Sequence, residues 1–266
     1  MTATSAAVEP SPPPAGQVVL RAEGVSVRYG GVRALDDVTI ELRRSEICGV
    51  MGPNGAGKST LFDVLSGVRR GSSGTLHLEG AEVTSRSSVH RSRMGLRRTF
   101  QRQQTFGWLT VEDNLLVALE SEHGAGLVGD LLKVPWRTRA ERERRARADE
   151  VLDLCGLRDV AGEPAGNLDI GRARMVELAR AIVARPRVLL LDEPTSGLEE
   201  RQTAELGAIV EQLRVEGCAI ALVEHDVGFM FEHCQRIVVL DLGRVLAEGT
   251  PEEIRSDERV SAAYLG

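Results

Sequence analysis

Apolar and polar residues alternate over residues 18–28 and again over 36–43, the period-two pattern of half-buried antiparallel strands. At 46–51 the alternation gives way to a short apolar run that reads as a buried strand. That run leads directly into Gly52-Pro53-Asn54-Gly55-Ala56-Gly57-Lys58-Ser59-Thr60, after which a helix is expected to about Val68. A turn at 71–74 and a strand at 75–79 follow. Thr110-Val111-Glu112-Asp113 has the form of a capping box and opens a helix to about Glu120. A Gly-rich break at 124–129 precedes a long charged helix over about 138–155, and a further helix covers about 171–184. Buried strands at 188–192, 219–223 and 237–240 then alternate with a helix near 202–215. Such alternation predicts a parallel sheet covered on both faces. Thr250-Pro251-Glu252-Glu253 starts a late helix with proline in its first turn.

The apolar runs have the length of strands, and none approaches the roughly 20 residues needed to cross a bilayer. Residues 1–17 are rich in Ala, Ser and Pro, have neither a basic region nor an apolar core, and read as a disordered tail without a secretory signal. The four cysteines, Cys48, Cys155, Cys218 and Cys234, are scattered among apolar neighbours, the pattern of buried reduced thiols in a cytosolic protein. A formal charge of −6, with nearly balanced signs, gives no general attraction to nucleic acid. The basic run at 137–147 carries Glu141–Arg145 and Glu143–Arg147 at i, i+4 spacing, as a solvated helix face does. Only two of the 33 basic residues are lysines, and one of them, Lys58, stands inside the Gly-rich segment.

That segment satisfies G-x-x-x-x-G-K-[ST] between a strand and a helix. Glycines let successive backbone N–H groups turn inward as an anion nest, and the helix N-terminus adds its dipole, so residues 52–60 are candidates to cradle a nucleotide triphosphate. Lys58 can reach the β- and γ-phosphates, and the Ser59 hydroxyl can ligate Mg²⁺. A second component is the apolar run at 188–191 ending in Asp192-Glu193. It places two carboxylates at the mouth of the sheet, Asp192 to hold Mg²⁺ and Glu193 to polarise the attacking water as general base.

With the segments around them, these motifs resemble the ATP-binding-cassette (ABC) ATPases over about residues 18–255. Tyr29 resembles the aromatic that stacks on adenine, and Thr99-Phe100-Gln101 the loop whose glutamine reaches Mg²⁺ or the attacking water. Thr195-Ser196-Gly197-Leu198-Glu199 resembles the D-loop, and Val223-Glu224-His225-Asp226 the segment whose histidine contacts the γ-phosphate. The resemblance implies a P-loop α/β fold with a RecA-like core, an antiparallel β region and a helical subdomain at about 102–175, leaving 256–266 as a C-terminal tail. It implies ATP and Mg²⁺ as ligands, Glu193, His225 and Gln101 as catalytic residues, and a second ATPase subunit, identical or paralogous, as partner. It also implies transmembrane permease subunits, an indirectly engaged solute-binding protein, a position on the cytoplasmic face of the membrane, and no nucleic-acid partner.

Arg98-Thr99-Phe100-Gln101, Pro164-Ala165-Gly166-Asn167-Leu168 and the final Ala263-Tyr264-Leu265-Gly266 are similar to ATPases of branched-chain amino acid importers. A lipid or lipopolysaccharide exporter ATPase, and a weakly hydrolysing ATP-sensing module, remain open. The signature loop departs from the family: Leu168-Asp169-Ile170-Gly171-Arg172 stands where a serine usually donates to the phosphate bound by the partner. An ionised Asp169 cannot donate, and turnover weaker than in a typical relative is expected; Gly171 preserves the close backbone approach. Finally, Phe100, Phe106 and Trp108 cluster beside the glutamine loop, either as packing of the helical lobe or as a groove for a helix of a membrane subunit.

Overall fold

A computed structural model describes residues 16–100, 104–120 and 135–265. The antiparallel pair expected at the start is a long hairpin, β1 (Val18–Tyr29) and β2 (Val32–Arg43), and it lies in a four-stranded sheet with β4 (Ser73–Leu78) and β5 (Ala81–Glu82), in the order β2-β1-β4-β5. The second sheet has six strands in the order β10-β9-β3-β8-β7-β6. These are β3 (Ile47–Met51), β6 (Leu96–Arg98), β7 (Val188–Asp192), β8 (Ala219–Val223), β9 (Arg236–Asp241) and β10 (Arg244–Gly249). Pairing is parallel from β6 through β7, β8 and β3 to β9; β10 closes the edge antiparallel to β9.

Strands β3, β7 and β8 are buried at every position, as expected of a parallel sheet covered on both faces. Their side chains alternate between two cores. Ile47, Leu189, Leu191, Ile220 and Leu222 face the helices α5 (Ile170–Ile182), α6 (Glu200–Val215) and α7 (Val227–His233). Cys48, Val50, Leu190, Ala221 and Val223 face α1 (Lys58–Ser66) and the antiparallel sheet. The first core continues into α3 (Val111–Glu120) and α4 (Pro135–Leu154) through Val111, Leu115, Val151 and Leu152. All four cysteines are buried and free, and burial pushes the Cys48, Cys155 and Cys218 thiols up to about 12.

Several elements have too little sequence pattern to be read beforehand. The three-residue strand β6, the helix α2 (Ser88–Arg93) and α7 are too short for a periodic signal. Helix α2 carries Arg91, which is 1 % exposed and donates to the carbonyls of Val64 and Leu65 at 2.5 and 2.8 Å and of Val83 at 2.9 Å. It thus places a cation against the orphan carbonyls at the C-terminal end of α1, where the helix dipole favours positive charge. Burial lowers its pKa to about 10, which leaves the guanidinium charged at neutral pH. After β10 the chain forms α8 (Pro251–Ser256) and α9 (Glu258–Leu265), so the stretch expected as a C-terminal tail carries a helix, which Val260 anchors in the core. No described helix is long and apolar enough to cross a membrane.

Candidate functional site

The parallel register gathers the candidate residues at one edge of the six-stranded sheet. Val50 pairs with Val223, and Val223 with Asp192, so β3, β8 and β7 end level with one another. The Gly52–Thr60 segment, Glu224-His225 and Asp192-Glu193 therefore leave the sheet side by side. Strand β6 pairs with β7 through Arg98 and Leu190, and brings Thr99 and Phe100 to the same edge. Gln101 lies outside the described residues.

Between β3 and α1 the backbone takes positive φ at Gly52 (147°), Gly55 (82°) and Gly57 (107°). Two of these glycines are required by space as well. A Cβ on Gly52 would lie 2.1 Å from the Leu240 carbonyl, and one on Gly57 2.5 Å from that of Ala34. Pro53, Asn54, Ala56, Ser59 and Thr60 complete the turn and the first turn of α1. The Lys58 ammonium arches back over it and donates to the carbonyls of Gly52 at 2.6 Å and Pro53 at 3.0 Å. Burial lowers the Lys58 pKa, and the carboxylates of Glu193 and Asp192 oppose that shift.

Asp192, 4 % exposed, ends β7. Its pKa is raised by burial, against a hydrogen bond and charge from Arg98. Arg98 enters the sequence analysis only as part of the Arg98-Thr99-Phe100-Gln101 resemblance, with no role assigned to it. Its guanidinium donates to Asp192 at 3.0 Å and to Asp63 of α1 at 2.7 Å, and packs 4.8 Å from the centre of the Phe100 ring. A single buried cation thus joins the end of β7, the α1 helix and the segment before Gln101. An arginine in a three-residue strand, between Arg97 and Thr99, reads as exposed, and no periodic pattern marks it as buried. Replacing Arg98 by Met is expected to leave two carboxylates facing each other unpaired and to cost about 3–5 kcal/mol of stability. Urea unfolding measures this: a loss below about 1 kcal/mol would contradict the pairing, and Arg98→Lys should recover part of it.

Glu193 follows with φ of 51°, a left-handed conformation unusual for a residue with a side chain. Its Oε1 lies 3.0 Å from Nε2 of His225. Glu224, buried beside them, accepts from Thr195 N–H at 2.7 Å and from His225 N–H at 3.0 Å, and so locks the turn after β8 to the start of the 195–199 loop. The hard oxygen donors here, the Asp192 carboxylate and the Ser59 hydroxyl, suit Mg²⁺, which is held by one or two carboxylates together with water and phosphate. Among the described residues no group of three or more His, Cys, Asp or Glu side chains is placed to hold a metal ion.

Tyr29 stands at the end of β1, 42 % exposed, with the Arg69 guanidinium 4.4 Å from its ring centre. Asp169 stands at the start of α5: its carboxylate caps the helix by accepting from Arg172 N–H at 2.8 Å, and the Arg172 side chain pairs with Asp159 at 3.0 Å. A Cβ on Gly171 would fall 2.4 Å from the Gln202 amide group, so this glycine lets α5 start against the first turn of α6. A Cβ on Gly197 would lie 2.9 Å from Cγ2 of Ile170, so the signature segment also approaches the 195–199 loop within one chain.

A phosphate loop, a carboxylate pair and a histidine at one sheet edge, with the Leu168–Arg172 segment opening α5, match a defined family. The "ABC transporter" model matches residues 35–196, well over half of the chain. The chain belongs to the ABC transporter family. A further model, "Branched-chain amino acid ATP-binding cassette transporter", matches residues 244–266 of this ABC chain. It is 41 % identical over 251 residues to the high-affinity branched-chain amino acid transport ATP-binding protein LivG of Salmonella typhimurium, covering 94 % of this chain and 98 % of the relative. It is 31 % identical over 248 residues to the lipopolysaccharide export system ATP-binding protein LptB of Haemophilus influenzae, covering 93 % and 97 %. Among solved structures, a nucleotide-free ATP-binding cassette from an ABC transporter superposes with a TM-score of 0.81 at 28 % identity, covering 94 % of this chain and 100 % of that one. The α/β architecture with mixed sheets is thus that of an ABC ATPase.

Proposed function

We propose that this chain binds and hydrolyses Mg-ATP as one half of a dimer, and that closure of the dimer drives import of branched-chain amino acids or similar small solutes through separate membrane subunits. The observation that carries this is the Glu193–His225 contact of 3.0 Å beside Asp192 and Lys58, a general base held at the mouth of a phosphate nest. In this reading residues 52–60 wrap the phosphates and Lys58 reaches the β- and γ-oxygens. Mg²⁺, when bound, neutralises charge on those oxygens, and Ser59 and Asp192, with Gln101, would hold it. Glu193 takes the proton of the attacking water. His225 orients the Glu193 carboxylate and meets the γ-phosphate, while Tyr29 stacks on adenine in the position that Arg69 shares. Asp169 and Gly171 complete the site of the opposite subunit, which is a second copy or a paralogue.

The cargo rests on relatedness: greater identity to the amino acid transport relative than to the lipopolysaccharide one, and the C-terminal match. The membrane subunits would dock, on the cytoplasmic face, in a cleft lined by Phe100, Phe106, Val117 and Arg180, with Trp108 standing 80 % exposed at 6.0 Å from Phe106. An indole that is mostly exposed beside such a cleft leaves apolar surface for a partner to cover. A solute-binding protein would meet only the membrane subunits.

Reconstitution with the membrane subunits in vesicles tests the reading. Wild type should take up radiolabelled leucine on addition of Mg-ATP. Lys58→Ala should lose Mg-ATP affinity at least about tenfold, through the lost charge-assisted contacts to phosphate. The double variant Phe106→Ala/Trp108→Ala should keep that affinity and fail to co-purify with the membrane subunits. ATP affinity retained by Lys58→Ala would remove the phosphate site, and extrusion of lipid without amino acid uptake would favour the exporter.

A further inference from the structure

The segment that ends the chain reaches the phosphate loop. Helix α9 follows α8 after a single residue, Asp257, and the two are held in the core by Ile254 and Val260. Near its end the hydroxyl of Tyr264 accepts a hydrogen bond from Gly52 N–H at 2.7 Å, between residues 212 positions apart. The phenol is half-buried, and burial raises its pKa against the opposing effect of this bond. Gly52 is the residue with no room for a side chain, because the Leu240 carbonyl occupies the place of its Cβ. Its carbonyl on the following peptide receives the Lys58 ammonium at 2.6 Å. The first residue of the loop is therefore gripped from three sides: by β9 where a side chain would be, by α9 at its N–H and by Lys58 at its carbonyl.

We propose that Tyr264 is a positioning residue for the phosphate loop, and that α9 acts as a clasp whose hydroxyl fixes the Gly52 peptide and so the direction from which Lys58 approaches the phosphates. The inference deepens the nucleotide-binding reading of residues 52–60 and rests on it. The chemistry is that of a neutral hydrogen bond that holds the N–H of Gly52, a residue packed closely against the Leu240 carbonyl. Loss of the hydroxyl frees that amide and leaves the ring, the helix and the core contacts in place. Loosening the loop lowers the preorganisation that nucleotide binding uses.

The test uses the full chain and Tyr264→Phe, which removes one oxygen. Amide hydrogen exchange at Gly52 is expected to quicken about tenfold, and the affinity for a fluorescent ATP analogue with Mg²⁺ to fall about fivefold, the effect of one hydrogen bond. The thermal midpoint should stay within about 2 °C of wild type. Unchanged exchange at Gly52 would overturn the contact, and faster exchange with unchanged nucleotide affinity would reduce α9 to a structural helix. A wild-type chain that fails to bind the analogue would overturn the nucleotide reading itself, a result that the exchange comparison distinguishes from failure of the clasp.

Discussion

Replacing Glu193 by Gln is expected to lower ATP turnover by about 10²–10⁴-fold while Mg-ATP still binds, because Gln has the size and the hydrogen-bonding reach of Glu but no basic oxygen. The structure makes this a clean substitution. The carboxylate meets His225 at 3.0 Å, and an amide oxygen can accept the same bond, so the local fold is retained. The backbone at φ of 51° is set by the turn after β7, where Glu193 N–H donates to the Val223 carbonyl at 2.8 Å and Ser196 N–H returns to the Glu193 carbonyl at 3.2 Å. None of these bonds involves the side chain. Steady-state phosphate release with equilibrium nucleotide binding checks the outcome. Equal turnover in the two proteins would show that Glu193 is not the base and would favour a sensor that binds ATP without consuming it.

The second large effect runs the other way. Asp169→Ser is expected to raise turnover roughly fivefold or more, by removing a negative charge from the face that meets the phosphate of the opposite subunit in the proposed dimer. Asp169 caps α5 through its bond to Arg172 N–H at 2.8 Å, so its carboxylate is satisfied within the chain, and it remains exposed there. Serine caps helices about as well as aspartate, so the stability of α5 should change by only a few tenths of a kcal/mol. Asp169→Asn separates the two contributions, since it keeps the cap, removes the charge and adds no hydroxyl. A gain in both variants identifies charge as the brake; a gain in Ser alone identifies the missing hydroxyl donor. If neither variant gains, the signature loop does not limit turnover in this protein.

The two ends of the nucleotide site differ in how they could be read. The phosphate nest is made by the backbone of consecutive residues between one strand and one helix, so its glycines, Lys58 and Ser59 stand in order along the chain. The Asp192-Glu193 pair was legible for the same reason, as the end of an apolar run. The positive φ values at Gly52, Gly55 and Gly57 agree with that local reading. At the signature loop the sequence showed the departure at Asp169, and the fold shows what its carboxylate does within the chain, which is to cap α5.

Local patterns therefore specified the strand–nest–helix unit, the buried strands and the identity of the carboxylates, because backbone geometry and burial repeat over a few residues. The partnership of Arg98 with Asp192, 94 positions away, and of Tyr264 with Gly52, 212 away, left no such trace. Each depends on which strand lies beside which, and that order follows from how two cores fill together. A short arginine-bearing strand and a terminal helix look peripheral until folding brings them against the residues they hold.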